Sequence, residues 1–224
     1  MNSSFDWKKY NAIRNSQAIK INSYNLKSKF NYIEKNHYNH IRDIYAISLL
    51  LLNNGKNKII SVLDYGGNLI VHSNLVNKIN IKKFKFYLYN PYASIIKKKF
   101  SFRYKFIIDK NYLYKKKFNL IYFGSSLQYI EDFSAICNLK FIESSDYILI
   151  THTPISFNKK NKLLFKQKNQ SNLNQNIYSI DYIKKVLLRN KFQLIFKSLN
   201  EHKYSGLKKK TKDIYSVNML FKKK

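Results

Sequence analysis

The chain is short of cysteine, proline, glycine and acidic residues, and each shortage closes off a class of protein. Cys137 is the only cysteine among 224 residues. No disulfide can form within the chain, and cysteine-rich zinc sites are excluded. Two prolines stand against 19 tyrosines and 16 phenylalanines, a balance that points to a packed globule rather than disorder. The best apolar run, Ile44–Leu52, falls far short of the ~18 residues of a membrane span. The first residues, Met1–Trp7, lack the basic start and apolar core of a secretory signal. Together these absences suggest a cytoplasmic location. The length suits one main domain with a sizeable core.

Acidic residues number 12 against 42 basic ones, for a formal net charge of +30. Such an excess attracts anionic partners: RNA, a membrane surface or an acidic glycan. The basic residues, however, include only four arginines: Arg14, Arg42, Arg103 and Arg189. Arginine is the residue favoured for two-pronged phosphate and base contacts. The lysines are also spread from end to end, so a solvated basic surface is the better reading than a nucleic-acid groove.

Residues 1–57 read as a mainly helical N-terminal cap. Ile41, Ile44, Tyr45, Ile47, Leu49 and Leu52 recur near helical spacing, and Asn53-Asn54-Gly55 ends the run. From residue 58 strands and helices alternate. Strands are predicted at 59–63, 84–89, 104–108, 118–123, 147–150, 192–199 and 214–221. Helices are predicted at 69–79, 92–99, 131–142 and from the N-cap Ser179 through Leu188, with Asn190 as the closing cap. Residues 153–177 are polar and rich in Asn, Gln and Lys. They read as a long loop, and with the N-terminal helices as a mobile lid in which Leu163-Leu164-Phe165 would dock. The alternation implies a mostly parallel sheet with helices on both faces. The last strand is reached without a helix, so it should return antiparallel beside the sixth.

Five glycines occur in all, and two are adjacent in Leu63-Asp64-Tyr65-Gly66-Gly67-Asn68. An apolar strand, an acidic residue and a glycine turn before a helix is how many nucleotide-binding α/β folds begin. The turn lets the backbone approach a ligand with no Cβ in the way. With Ser125-Ser126-Leu127-Gln128-Tyr129-Ile130-Glu131-Asp132 after the fourth strand, and Tyr178-Ser179 through Asn190-Lys191-Phe192 near the sixth, the chain resembles the class I S-adenosylmethionine-dependent methyltransferases over about residues 58–222. Together with Thr151-His152-Thr153-Pro154, these motifs are similar to a bacterial family of methyltransferases often associated with surface-polysaccharide gene clusters.

The resemblance implies a Rossmann-like, seven-stranded methyltransferase sheet, S-adenosylmethionine as cofactor, and a small-molecule or sugar-linked acceptor. It places Asp64, Tyr65, Gly66 and Gly67 at the cofactor's amino-acid portion. Asn90 falls at the ribose, Asp109 at the adenine, and Ser125 and Ser126 where cofactor and acceptor meet. His152, at the end of the fifth strand, is the candidate general base. No metal is required. Asn68 stands where the family has a third glycine, and Asn90 where it has an acidic residue. Those departures favour an alternative, a catalytically degenerate binding domain of the same fold. An RNA methyltransferase is a third reading, supported by charge alone.

Overall fold

The computed structural model describes residues 48, 49, 52, 59–66, 84–89, 104–107, 109–157, 162–167, 170–203 and 213–224. The described elements run β1 (Ile60–Tyr65), β2 (Phe84–Tyr89), β3 (Tyr104–Ile107), α1 (Asn111–Tyr114), β4 (Leu120–Gly124), a 3-10 turn (Leu127–Tyr129), α2 (Phe133–Cys137), α3 (Lys140–Glu143), β5 (Tyr147–Ser156), β6 (Lys162–Gln167), β7 (Gln170–Ser179), α4 (Ile180–Arg189), β8 (Phe192–Lys203) and β9 (Ile214–Lys223).

Strands β1 to β5 form a parallel sheet in the order β3-β2-β1-β4-β5. β9 continues it antiparallel to β5, and β8 pairs antiparallel with β9 at the edge. The expected seven-stranded, mostly parallel sheet with an antiparallel last strand is therefore present. β6 and β7 are added to it.

Period-two alternation divides the core. Leu63, Ile121, Phe123, Ile148, Ile150 and Met219 face one way, against Leu113, Phe133, Phe141, Ile183 and Leu187 of the four helices. Ile60, Val62, Phe86, Leu120, Tyr122, Leu149 and Leu220 face the other way, with Leu49. Ser48, Leu49 and Leu52 are helical, and Leu49 is fully buried. Both sheet faces are thus covered, as a parallel sheet requires. The remaining predicted helical residues of the N-terminal cap, and the helices predicted at 69–79 and 92–99, lie outside the described residues.

Three expectations need correction. The first is the loop at 153–177. β5 runs on to Ser156, and β6 and β7 form an antiparallel hairpin whose residues Gln175–Ser179 are buried. Tyr178 donates its hydroxyl to the Ile130 carbonyl at 2.7 Å, and the Asn176 amide donates to the same oxygen at 3.0 Å. Leu163 and Phe165 pack near Ile177 and Ile214, whereas Leu164 between them is exposed. The triplet is one turn of strand alternation, not a docking latch. The hairpin pairs with β5 only at Ile155 and Ser156. Those residues already pair with β9 on one side, so β7 occupies the side that β4 vacates beyond Gly124.

The second correction is the helix at 131–142. It is two short helices, α2 and α3, broken at Asn138-Leu139. Asp132 caps the first, accepting from the Ala135 N–H at 3.0 Å. The third is α1, a turn of helix that the sequence reading lacked.

Ser179 caps α4 as expected, its hydroxyl accepting from the Tyr182 N–H at 3.2 Å. Ser179→Ala should therefore lower stability by about 1 kcal/mol, read as an earlier urea midpoint with an unchanged slope. An unchanged midpoint would show that the buried hydroxyl contributes nothing.

Candidate active site

Strand order reverses at β1, with β2 on one side of it and β4 on the other. Ligands of such sheets bind in the crevice outside the carboxyl ends of the strands at that point. Asp64, Tyr65 and Gly66 end β1, Gly124 through Ser126 end β4, and Thr151 and His152 lie in β5. β5 is two strands from β1, about 10 Å by ordinary strand spacing.

Gly66 has φ +76°, and its N–H donates to the Tyr89 carbonyl at 3.0 Å. A Cβ there would stand 3.1 Å from the Ser126 Cβ. Backbone conformation and space both demand glycine at this position. The Ser126 hydroxyl donates to the Tyr65 carbonyl at 2.6 Å and is buried. That bond ties the turn after β1 to the turn after β4. Gly67 and Asn90 lie outside the described residues.

Asp64 is 2% exposed and pairs in register with Tyr122 of β4. The Tyr122 hydroxyl is 2.9 Å from Thr151 Oγ1. Its ring crosses Gly124, where a Cβ would come within 2.6 Å of it. Tyr65 points to the other face. Its ring lies 5.1 Å from Tyr89 and 5.5 Å from Phe123, and burial pushes its phenol well above the ordinary value. Tyr65 is a core side chain, so only its backbone borders the crevice.

Asp109 is exposed after β3. Its carboxylate accepts from the Asn111 N–H at 2.8 Å and starts α1. Burial raises the Cys137 thiol far above its ordinary range, with Asp132 adding to the effect, so the only cysteine is not a nucleophile.

The structure brings Ser125 and His152 together. Ser125 Oγ is 3.0 Å from His152 Nδ1 and 3.3 Å from the His152 carbonyl oxygen. Both residues have left-handed backbones, φ 53° and 49°. Non-glycine residues there cost about 1–3 kcal/mol each and cluster at functional sites. The Ser125 N–H donates to the Thr151 carbonyl at 3.0 Å, so both donors of this serine are already placed.

His152 owes its position to a β-bulge. Ile150 pairs with Met219 and Thr153 with Val217, so Thr151 and His152 together oppose Asn218. Asn218 is 1% exposed. Its side-chain Oδ1 accepts the His152 N–H at 2.9 Å, and its Nδ2 donates to Ser198 Oγ at 3.2 Å. Bulges bend a strand and re-aim its side chains. Sequence reasoning missed Asn218, Tyr122, Gly124 and Thr151. A signal existed for Asn218, a lone amide inside the apolar run Val217-Asn218-Met219-Leu220-Phe221.

A buried acidic residue and a glycine turn thus stand at the carboxyl end of β1, and an imidazole stands on a bulged strand two positions away in the sheet.

No protein-family model matches the sequence, and no curated protein matches it. Solved structures share its fold. A magnesium protoporphyrin IX methyltransferase from Synechocystis, solved with S-adenosylmethionine, is similar at 11% identity and TM-score 0.52, each chain covered in full at 100%. A Burkholderia thailandensis 1,6-didemethyltoxoflavin-N1-methyltransferase, bound to that substrate and S-adenosylhomocysteine, is similar at 11% identity and TM-score 0.54, with 100% of this chain and 91% of that one covered. An S-adenosylmethionine-dependent methyltransferase from Clostridium acetobutylicum matches at 14% identity and TM-score 0.53, with 89% and 99% covered. The fold is that of the S-adenosylmethionine-dependent methyltransferases. Among the described residues, no helix is long and apolar enough to cross a membrane.

Proposed function

We propose that this chain is an S-adenosylmethionine-dependent methyltransferase acting on a small-molecule or sugar-linked acceptor. The observation that carries the reading is the switch point of the sheet, where the left-handed Gly66 turn and the buried Asp64 stand two strands from His152. The residues fit the cofactor. Gly66 leaves open a space that a Cβ would crowd against Ser126. Asp64 offers a buried carboxylate to the ammonium group of the cofactor's amino-acid end.

When bound, S-adenosylmethionine supplies an electrophilic methyl on a sulfonium. The protein's part is to hold donor and acceptor in line, which can supply much of the rate. Gly66 and Gly67 would present backbone to the methionine portion, with Ser126 bracing the turn. Asn90 would take the ribose hydroxyls and Asp109 the adenine. His152 would accept the acceptor's proton. This reading puts the protein in the cytoplasm with its acceptor, in surface-polysaccharide chemistry.

A second reading, a degenerate binding domain, is favoured by Asn90, which lacks the charge that strengthens a ribose contact. Titration calorimetry with S-adenosylhomocysteine separates the two. Saturable one-site binding is expected of the enzyme, and absence of binding would overturn that reading and favour the second. Binding without methyl transfer to any hydroxyl or amine acceptor would favour the second. RNA binding that collapses between low and moderate salt would mark only lysine attraction, and RNA methylation that survives it would favour the charge-based alternative.

A further inference from the structure

We infer that Ser125 is a positioning residue that holds His152 in the Nδ1–H tautomer, so that Nε2 is the ring nitrogen able to take a proton. The inference rests on the methyltransferase reading for its use, and on geometry alone for its content.

Ser125 Oγ sits within hydrogen-bond distance of two atoms of one residue, His152 Nδ1 at 3.0 Å and the His152 carbonyl oxygen at 3.3 Å. A serine hydroxyl has one proton to give and can also accept. A carbonyl oxygen can only accept. If the hydroxyl gave its proton to Nδ1, two acceptor oxygens would face each other at 3.3 Å. If it gives the proton to the carbonyl, Nδ1 must donate to Oγ, and both contacts are satisfied. The second arrangement places the ring proton on Nδ1. The tautomer of a histidine is set by the hydrogen bond that its other nitrogen makes.

The backbone supports this assignment. Both residues hold left-handed conformations that bring hydroxyl and ring together, at φ 53° and 49°. Asn218 fixes the His152 N–H from β9, and Ser198 on β8 engages the Asn218 amide. A chain of contacts thus runs from Ser198 on β8 through Asn218 on β9 to the His152 main-chain N–H, and Ser125 at the end of β4 meets the imidazole.

The test is long-range proton–nitrogen NMR of the uniformly labelled full chain at pH about 8, where imidazoles are mostly neutral. His152→Gln identifies the His152 signals by their loss. In the wild-type protein, Nδ1 should show the protonated shift and Nε2 the unprotonated one. Ser125→Gly removes the hydroxyl at a backbone conformation that glycine adopts freely. In it, the His152 signals should move to the Nε2–H form or to a mixture. A wild-type Nε2–H ring would overturn the inference, even if the variant failed to fold. So would a Ser125→Gly protein, with unchanged thermal midpoint, whose tautomer stayed as in the wild type. These readings come from the free protein. Failure to bind S-adenosylhomocysteine would remove the catalytic use of the pair and leave the tautomer result standing.

Discussion

Gly124→Ala is expected to destabilise the fold by about 2–4 kcal/mol, from overpacking plus the loss of one buried hydrogen bond. The added Cβ would meet the Tyr122 ring at 2.6 Å, nearer than two carbons can approach. The far end of a side chain can often swing aside. Tyr122 cannot do so freely: it is 1% exposed, and its hydroxyl bonds Thr151 Oγ1 at 2.9 Å. Moving the ring would break that bond beside His152. Urea denaturation gives the loss directly. A cost below about 0.5 kcal/mol, within the range of inert surface changes, would mean that the ring has room to move.

Asp64→Asn is expected to weaken S-adenosylhomocysteine binding about 10- to 100-fold, the effect of losing one charged hydrogen bond. The change keeps the shape and removes the charge from a side chain that is 2% exposed. Desolvation strengthens a carboxylate's attraction for the ligand's ammonium group. Calorimetry on wild type and variant, with thermal midpoints as fold controls, is the measurement. Equal affinities would leave Asp64 as a strand-end residue with no part in the cofactor site.

How much of the site was legible depended on whether a residue's role is local. The Ser179 cap acts within three residues, and it was readable from residue type and position. The Gly66 turn was legible as a turn, because few glycines occur and one must take the left-handed backbone. Tyr65 was not. Its neighbours in sequence suggested the crevice, but strand alternation turned its ring to the opposite face, among Tyr89 and Phe123. The hairpin of β6 and β7 was also hidden. Its Asn residues have low strand propensity, and Tyr178 and Asn176 find their partner, the Ile130 carbonyl, more than forty positions away.

By itself, the sequence determined the seven strands of the main sheet, the acidic residue and glycine that end β1, and the reversed last strand. These follow from hydrophobic period and turn chemistry, which act over a few residues. Only the tertiary structure decided that β5 carries a bulge. Ile150 and Ile155 are an odd number of positions apart, yet both enter the same core. The extra residue makes that possible, and it is opposed by Asn218, 66 positions from the His152 it holds. The left-handed pair of Ser125 and His152 belongs to the same class. Neither residue has a local reason to leave the usual backbone regions. Each is held by bonds to another strand, and strand order brings those strands together.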